Sequence, residues 1–147
     1  MERVIESDEQ RRLLIRYLGE QPLPLTIKII KGKHRTVEQN RLQRMWCNEV
    51  SEQLGDRTPE EVRGYCKLTI GVPMLRAENE KFRQQYDRVV RPLPYEMKLA
   101  IMQEPLDLPV TRLMTTEQKT RYLDQTYKHW VERGIELTIP EEQRGVA

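Results

Sequence analysis

The sequence lacks the long apolar run that a membrane-spanning helix requires. No stretch approaches the roughly 20 apolar residues that cross a bilayer, and no apolar segment follows a basic start as in a secretory signal. Only two cysteines occur, Cys47 and Cys66, and both fall in helical patterns with apolar neighbours. We therefore expect a soluble cytoplasmic protein, without a membrane partner, whose two thiols are buried and reduced.

Sequence motifs for metal, nucleotide or nucleophile chemistry are also missing. The cysteines and histidines show no paired-ligand spacing, and CxxC, HExxH and Gly-rich phosphate loops are absent. Glu60, Glu61 and Glu117 fall in predicted first helical turns, where acids suit the helix dipole. Asp107 and Asp124 are the isolated acids that remain for a metal-dependent nuclease. The sequence thus predicts no catalytic residue, no metal site, no cofactor and no enzymatic activity.

The chain carries a net charge of only +2, so any attraction for a polyanion must come from local clustering. The densest cluster of basic residues runs from Lys31 to Arg44, where the only acid is Glu38, and its formal charge is +4. Its members are Lys31, Lys33, Arg35, Arg41 and Arg44. We call this segment the basic window, and its charge indicates a phosphate-binding surface.

Hydrophobic periodicity predicts a chain of helices with few strands. Helix starts with N-cap patterns are expected at Ser7, Thr36, Thr58 and Thr115. The helix after Thr58 is expected to end at residues 71–73, Gly-Val-Pro. These patterns place the basic window at the start of the second helix.

Alternation of apolar and polar residues predicts two strands. Residues 1–6 form a short edge strand, and apolar residues at every second position form a half-buried strand over Leu25–Lys31. Together the elements predict an α+β fold that is mainly helical with a small sheet. They are expected to make one domain over 1–140, followed by a flexible tail over 141–147.

The basic window coincides with a strand end, a turn and the first turns of a helix. A helix N-terminus presents free N–H groups and the positive end of its dipole, which favours phosphate. Gln39 and Asn40 lie in the same first turn, where their amides can contact bases or sugars. The alternative is an ordinary solvated turn. Trp46 and Trp130 lie in apolar stripes that favour core packing, although Trp46, close to Arg44, stays a candidate for base stacking.

Residues 35–41, Arg-Thr-Val-Glu-Gln-Asn-Arg, resemble the R-[ST]-x-x-Q-N-R signature of the NinB family, the Orf-like recombination accessory proteins of phages. Val110–Glu117 is similar to the family's short Ser/Thr-rich strand, with an arginine, that enters the last helix. The resemblance covers roughly the first half and the last third of the chain. It departs at Arg44, where the family often has Trp, and is absent over 76–105.

The resemblance implies a NinB-like fold and a homodimer that binds single-stranded and gapped DNA without sequence preference. Such a protein assists recombinase loading on DNA coated by the host single-strand-binding protein, in the host cytoplasm and without catalysis. With the basic window, the predicted DNA-binding residues are Lys31, Lys33, Arg35, Gln39, Asn40, Arg41, Arg44 and Arg112. Two alternatives stay open: a structure-specific nuclease of phage recombination, and an adaptor that recruits a host replication or repair factor.

Overall fold

A computed structural model describes residues 3–29 and 35–139 of the chain, with side chains from residue 38 onward in the second range. Contacts group the chain into two units, residues 1–34 and residues 35–147, whereas the sequence predicts one domain over 1–140. The predicted tail over 141–147 lies outside the described residues, as do Lys31 and Lys33 of the basic window.

Every regular element in the described residues is helical. The α-helices are α1 (Asp8–Gly19), α2 (Arg35–Leu54), α3 (Pro59–Cys66), α4 (Val72–Glu78), α5 (Glu80–Val89), α6 (Tyr95–Ile101) and α7 (Thr116–Val131). A π-helical turn, Lys67–Gly71, joins α3 to α4, and a 3₁₀ turn, Thr111–Leu113, precedes α7. Since no β-strand occurs over 3–29 or 35–139, the predicted α+β fold with a small sheet is wrong. None of the described helices is long and apolar enough to span a bilayer.

The predicted strands have no neighbouring strand to pair with in the described residues. Residues 3–6 and 25–29 run without regular structure, and Ile29 is 81% exposed. In the segment compared with the NinB strand, Val110 is buried, but the next three residues turn as a 3₁₀ helix. A strand requires a neighbour to bond its N–H and C=O groups, and alternation along one segment does not supply that neighbour.

The N-terminal unit is built on α1. Ser7 caps this helix by accepting a hydrogen bond from the backbone N–H of Gln10 at 3.2 Å, as the capping pattern predicts. No residue from 3 to 29 is buried, and Leu13 and Ile15 are 56% and 63% exposed. The apolar residues that the structure describes in this unit therefore have no core of their own.

Two other predicted helix starts are confirmed in the second unit. Thr58 and Thr115 each complete a capping box at the start of α3 and α7. The start predicted at Thr36 is shifted, because the described part of α2 already includes Arg35. The local rules thus place helix starts to within a few residues.

The predicted helix end at residues 71–73 is wrong. The π-helical turn carries the chain from α3 directly into α4, whose first turn accommodates Pro73. A Cβ atom on Gly71 would lie 2.6 Å from Cγ1 of Val110 and 3.3 Å from Cε2 of Tyr122. Glycine is therefore needed here for close packing inside a continuing helical path rather than for a stop.

The larger of two apolar clusters in the second unit lies between α2, α3 and α7. Val50, Val62 and Tyr122 have no exposed surface, and Trp46 and Trp130 are only 3% and 4% exposed. The predicted core packing of both tryptophans is confirmed. Burial leaves Trp46 no open face for base stacking.

Both cysteines belong to this cluster as free thiols, as the sequence predicts. Burial raises the pKa of Cys47 to about 12 and that of Cys66 to about 11. The indole N–H of Trp130 donates to Sγ of Cys66 at 3.4 Å. The thiols are therefore packing groups with little thiolate character.

The second cluster organises the stretch 76–105, for which the family resemblance offers nothing. Leu75, Met102 and Val110 lie at its centre with at most 1% exposure. The guanidinium of Arg76 donates to both carboxylate oxygens of Asp87, at 2.7 and 3.0 Å, and so links α4 to α5. This stretch is a packed helical layer of the second unit.

Candidate nucleic-acid interface

One face of α2 carries the polar residues at the centre of the predicted site. Asn40, Arg44 and Asn48 are exposed and follow one another at intervals of four, so they lie along one side of the helix. Gln43 and Cys47 lie beside them and are only 8% and 6% exposed. These five residues form one wall of a groove.

The opposite wall comes from α3 and from the segment that runs from the end of α6 into the 3₁₀ turn. Its lining residues are Pro59, Glu60, Arg63, Glu104, Asp107 and Thr111. The groove has a volume of about 360 Å³. We call it the amide groove, because the amide side chains of α2 line it.

Asp107, in the second wall of the amide groove, is bound by two basic side chains. Its Oδ1 accepts hydrogen bonds from Nζ of Lys67 at 2.6 Å and from the Arg63 guanidinium at 2.8 Å. Arg63 also donates to both carboxylate oxygens of Glu60, at 2.9 and 2.6 Å. Asp107 is therefore not the isolated acid that the sequence suggests, since two basic side chains hold it.

The pKa values in this cluster shift as its hydrogen bonds require. The bond from Lys67 lowers the pKa of Asp107, and the bond from Arg63 lowers the pKa of Glu60. Burial lowers the pKa of Lys67, which is 2% exposed, although its bond to Asp107 opposes that shift. Because two cations balance two carboxylates, the cluster brings no net charge to the groove.

Arg112 lies next to the same wall. Its guanidinium donates to the backbone carbonyl of Asp107 at 3.2 Å, and its neighbour Thr111 lines the groove. Arg44 lies on the facing wall, and neither Arg44 nor the exposed Arg41 forms an ion pair within the part of the chain that the structure describes. Arg44 thus lines the groove, and Arg112, which is distant in sequence, lies next to its second wall.

The two amides of the signature contact α7. Nε2 of Gln39 donates to Oγ1 of Thr120 at 2.9 Å, and Oδ1 of Asn40 accepts a bond from Nζ of Lys119. Lys119 is 7% exposed, and burial lowers its pKa. Both amides therefore fix the start of α2 to α7, and Asn40 also lines the amide groove.

The remaining predicted residues are only partly described. Lys31 and Lys33 lie outside the described residues, and Arg35 is described as part of the α2 backbone alone. The members of the predicted set with described side chains are Gln39, Asn40, Arg41, Arg44 and Arg112. Of these, Asn40 and Arg44 line the groove directly.

The buried polar residues of this region, Lys67, Gln43 and Lys119, were not singled out from the sequence. Gln43 precedes Cys47 by four residues and Lys119 precedes Leu123 by four, so each lies on the apolar stripe of its own helix. A polar group on a buried stripe requires a polar partner. That mismatch in the helical pattern is the feature that would have marked both residues.

A second groove, of about 530 Å³, runs between α4 and α7. Two of its basic residues have acidic partners: Arg121 donates to Glu78 at 2.9 and 2.5 Å, and Lys128 lies 3.9 Å from Glu132. A third, Arg133, donates to the backbone carbonyl of His129 at 2.8 Å. Over 3–29 and 35–139, no group of three or more His, Cys, Asp or Glu side chains is arranged to hold a metal ion. We take the amide groove as the candidate site, because Asn40 and Arg44 of the predicted set line it and Arg112 lies beside it.

Comparisons of the chain with protein-family models, with curated proteins and with solved structures found no match. Membership of the NinB family thus stays a prediction that rests on residues 35–41 and 110–117.

Proposed function

We propose that this chain is a recombination accessory protein that binds single-stranded and gapped DNA without sequence preference. The observation that carries the proposal is the arrangement of Arg44 on one wall of the amide groove and Arg112 beside the other. Guanidinium groups bind phosphate through paired hydrogen bonds. Binding through phosphates carries no sequence information, which accounts for the expected lack of preference.

The direct test is binding of a fluorescently labelled single-stranded oligonucleotide, measured by anisotropy. Arg44→Gln and Arg112→Gln should each weaken binding several-fold and reduce the salt slope by about 0.7, because each removes one phosphate contact from a single strand. Arg88→Gln in α5 is the matched control, since Arg88 is exposed and lies outside the amide groove. An equal loss in the control, or unchanged binding by both groove variants, would contradict the proposal.

A homodimer is the second part of the proposal. Exposed apolar side chains in the N-terminal unit support it, because Leu13, Ile15 and Ile29 would bury apolar surface in an assembly. Light scattering after size-exclusion chromatography should give twice the chain mass of 17.6 kDa. Leu13→Glu should shift the protein to the monomer mass, and a monomeric wild type would exclude the dimer.

The third part concerns protein partners and location. As in the resembling family, the chain would act in the host cytoplasm, where it would bind the host single-strand-binding protein and help a recombinase onto coated DNA. Its two free thiols are in keeping with a reducing compartment. A pull-down with nuclease-treated single-strand-binding protein tests the contact without DNA bridging. Capture that disappears after nuclease treatment would count against it.

A further inference from the structure

We infer that the amide groove holds an unpaired base of the bound DNA strand, with the side-chain amide of Gln43 as its main hydrogen-bonding group. The inference rests on the proposed function and specifies what the groove binds in the DNA. Gln43 is 8% exposed and lines the groove, and its amide forms no hydrogen bond with any described residue. Neither of its amide atoms is among the fully buried side-chain atoms that lack a partner, so the amide is accessible from the groove, where a polar ligand can bond it.

The shape and lining of the groove fit a base better than a phosphate. A volume of about 360 Å³ lies at the small end of ligand sites. Cys47 and Pro59 offer apolar contact, whereas Asn40 and Asn48 offer amides. The lining carboxylates would repel a phosphate inside the groove, although they do not disfavour a neutral planar ring.

The Gln43 amide also matches the chemistry of base edges. A glutamine side chain presents one donor and one acceptor side by side, and it pairs with donor–acceptor edges such as that of adenine. Rotation of the amide by a half turn exchanges donor and acceptor, so it can adapt to different bases. Arg44 then binds a neighbouring phosphate at the edge of the groove, which divides base and phosphate contacts between two α2 residues.

The test compares a single-stranded oligonucleotide that has its bases with one of equal length that is abasic throughout. Wild-type protein should bind the abasic strand about tenfold more weakly, the value of one good amide–base pair. The salt slope should be equal for both strands, because the phosphates are unchanged. Gln43→Met keeps the side-chain volume and removes the amide, so this variant should bind both strands with the weaker affinity.

Gln125→Met on the exposed face of α7 is the matched control and should behave as wild type. Salt-dependent binding that is equal for the two strands would overturn the base pocket and leave phosphate binding intact. A tenfold preference that survives Gln43→Met would also overturn it, and no DNA binding at all would overturn the proposed function as well. If Gln43→Met fails to fold, the comparison of the two strands with wild-type protein still tests whether the groove holds a base.

A free nucleotide is the other source of a base. Deoxyadenosine monophosphate at about 1 mM should not displace the labelled strand, because a strand adds phosphate contacts that a single nucleotide lacks. Displacement at micromolar concentration would assign the groove to free nucleotides and overturn the inference.

Discussion

The cluster of Lys67, Asp107 and Arg63 makes an asymmetric prediction about stability. Asp107→Asn removes the carboxylate that faces two cations and keeps the size of the side chain. Asparagine, like aspartate, tolerates the positive backbone φ of 47° at this position. Lys67, 2% exposed, then keeps the Met102 carbonyl at 2.7 Å and a neutral amide oxygen as partners. Lys67→Met removes the buried cation instead and leaves Asp107 bound to Arg63 at 2.8 Å.

The magnitude follows from these surroundings. Removal of one partner of a buried pair costs about 3–5 kcal/mol of unfolding free energy. The Asp107 side chain is 30% exposed, and asparagine still accepts hydrogen bonds, so we expect a loss of about 2 kcal/mol for Asp107→Asn. Lys67→Met should cost about 1 kcal/mol or less, because the desolvation of the ammonium disappears with the charge.

Urea denaturation followed by circular dichroism measures both variants. With a typical slope of about 2 kcal/mol per molar urea, Asp107→Asn should lower the midpoint by about 1 M with an unchanged slope. A Lys67→Met variant that is equally or more destabilised would refute the reasoning.

The pH dependence provides a control. The folded state lowers the pKa of Asp107, so its stabilising effect is present above the unfolded pKa and is lost as pH falls through the folded value. The difference between wild type and Asp107→Asn should therefore be constant near neutral pH and shrink below about pH 4. A difference that stays constant in acid would contradict this origin of the stability.

Three further predictions concern the core. Tyr122→Phe should raise the unfolding free energy by about 1 kcal/mol, because the Tyr122 hydroxyl is buried without a hydrogen-bond partner among the described residues; a thermal melt that shows a loss would contradict this. Gly71→Ala should lower it by about 1–3 kcal/mol through the 2.6 Å approach to Val110, and an unchanged urea midpoint would show that the neighbours yield. The pKa values of Cys47 and Cys66 are raised to about 12 and about 11, so both thiols should resist iodoacetamide at pH 8 until urea unfolds the chain. Rapid alkylation of the native protein, detected by mass spectrometry, would contradict their burial.

The sequence predicted those parts of the structure that depend on neighbouring residues. Capping at Ser7, Thr58 and Thr115 involves atoms three residues away, so the local pattern is sufficient. The core positions of Trp46 and Trp130 follow equally from helical periodicity.

The sequence predictions that the structure contradicts concern features that depend on contacts between distant segments. A strand over Leu25–Lys31 requires a partner strand, and the described residues contain none. The local pattern predicts a helix end at Gly71, but this glycine makes a close contact with Val110, a residue far along the chain that no local pattern includes. For the same reason, the bonds of Gln39 and Asn40 to α7 could not be foreseen.

The sequence predicts residues of one wall of the candidate site but not those of the other. The charge of the basic window indicates the start of α2, whereas the groove with Arg44 lies along the middle of that helix. The second wall, with Asp107 and Arg63, needed the folded chain. Gln43 did not need it, because its place on the apolar stripe of α2, four residues before Cys47, already marks it as a buried polar residue.

The most direct test of DNA binding is the salt dependence of the affinity of wild-type protein for a single-stranded oligonucleotide. If Arg41, Arg44 and Arg112 each neutralise one phosphate, a plot of log K against log salt concentration should have a slope of about −2 or steeper. A slope near zero, or no binding at low salt, would contradict the account.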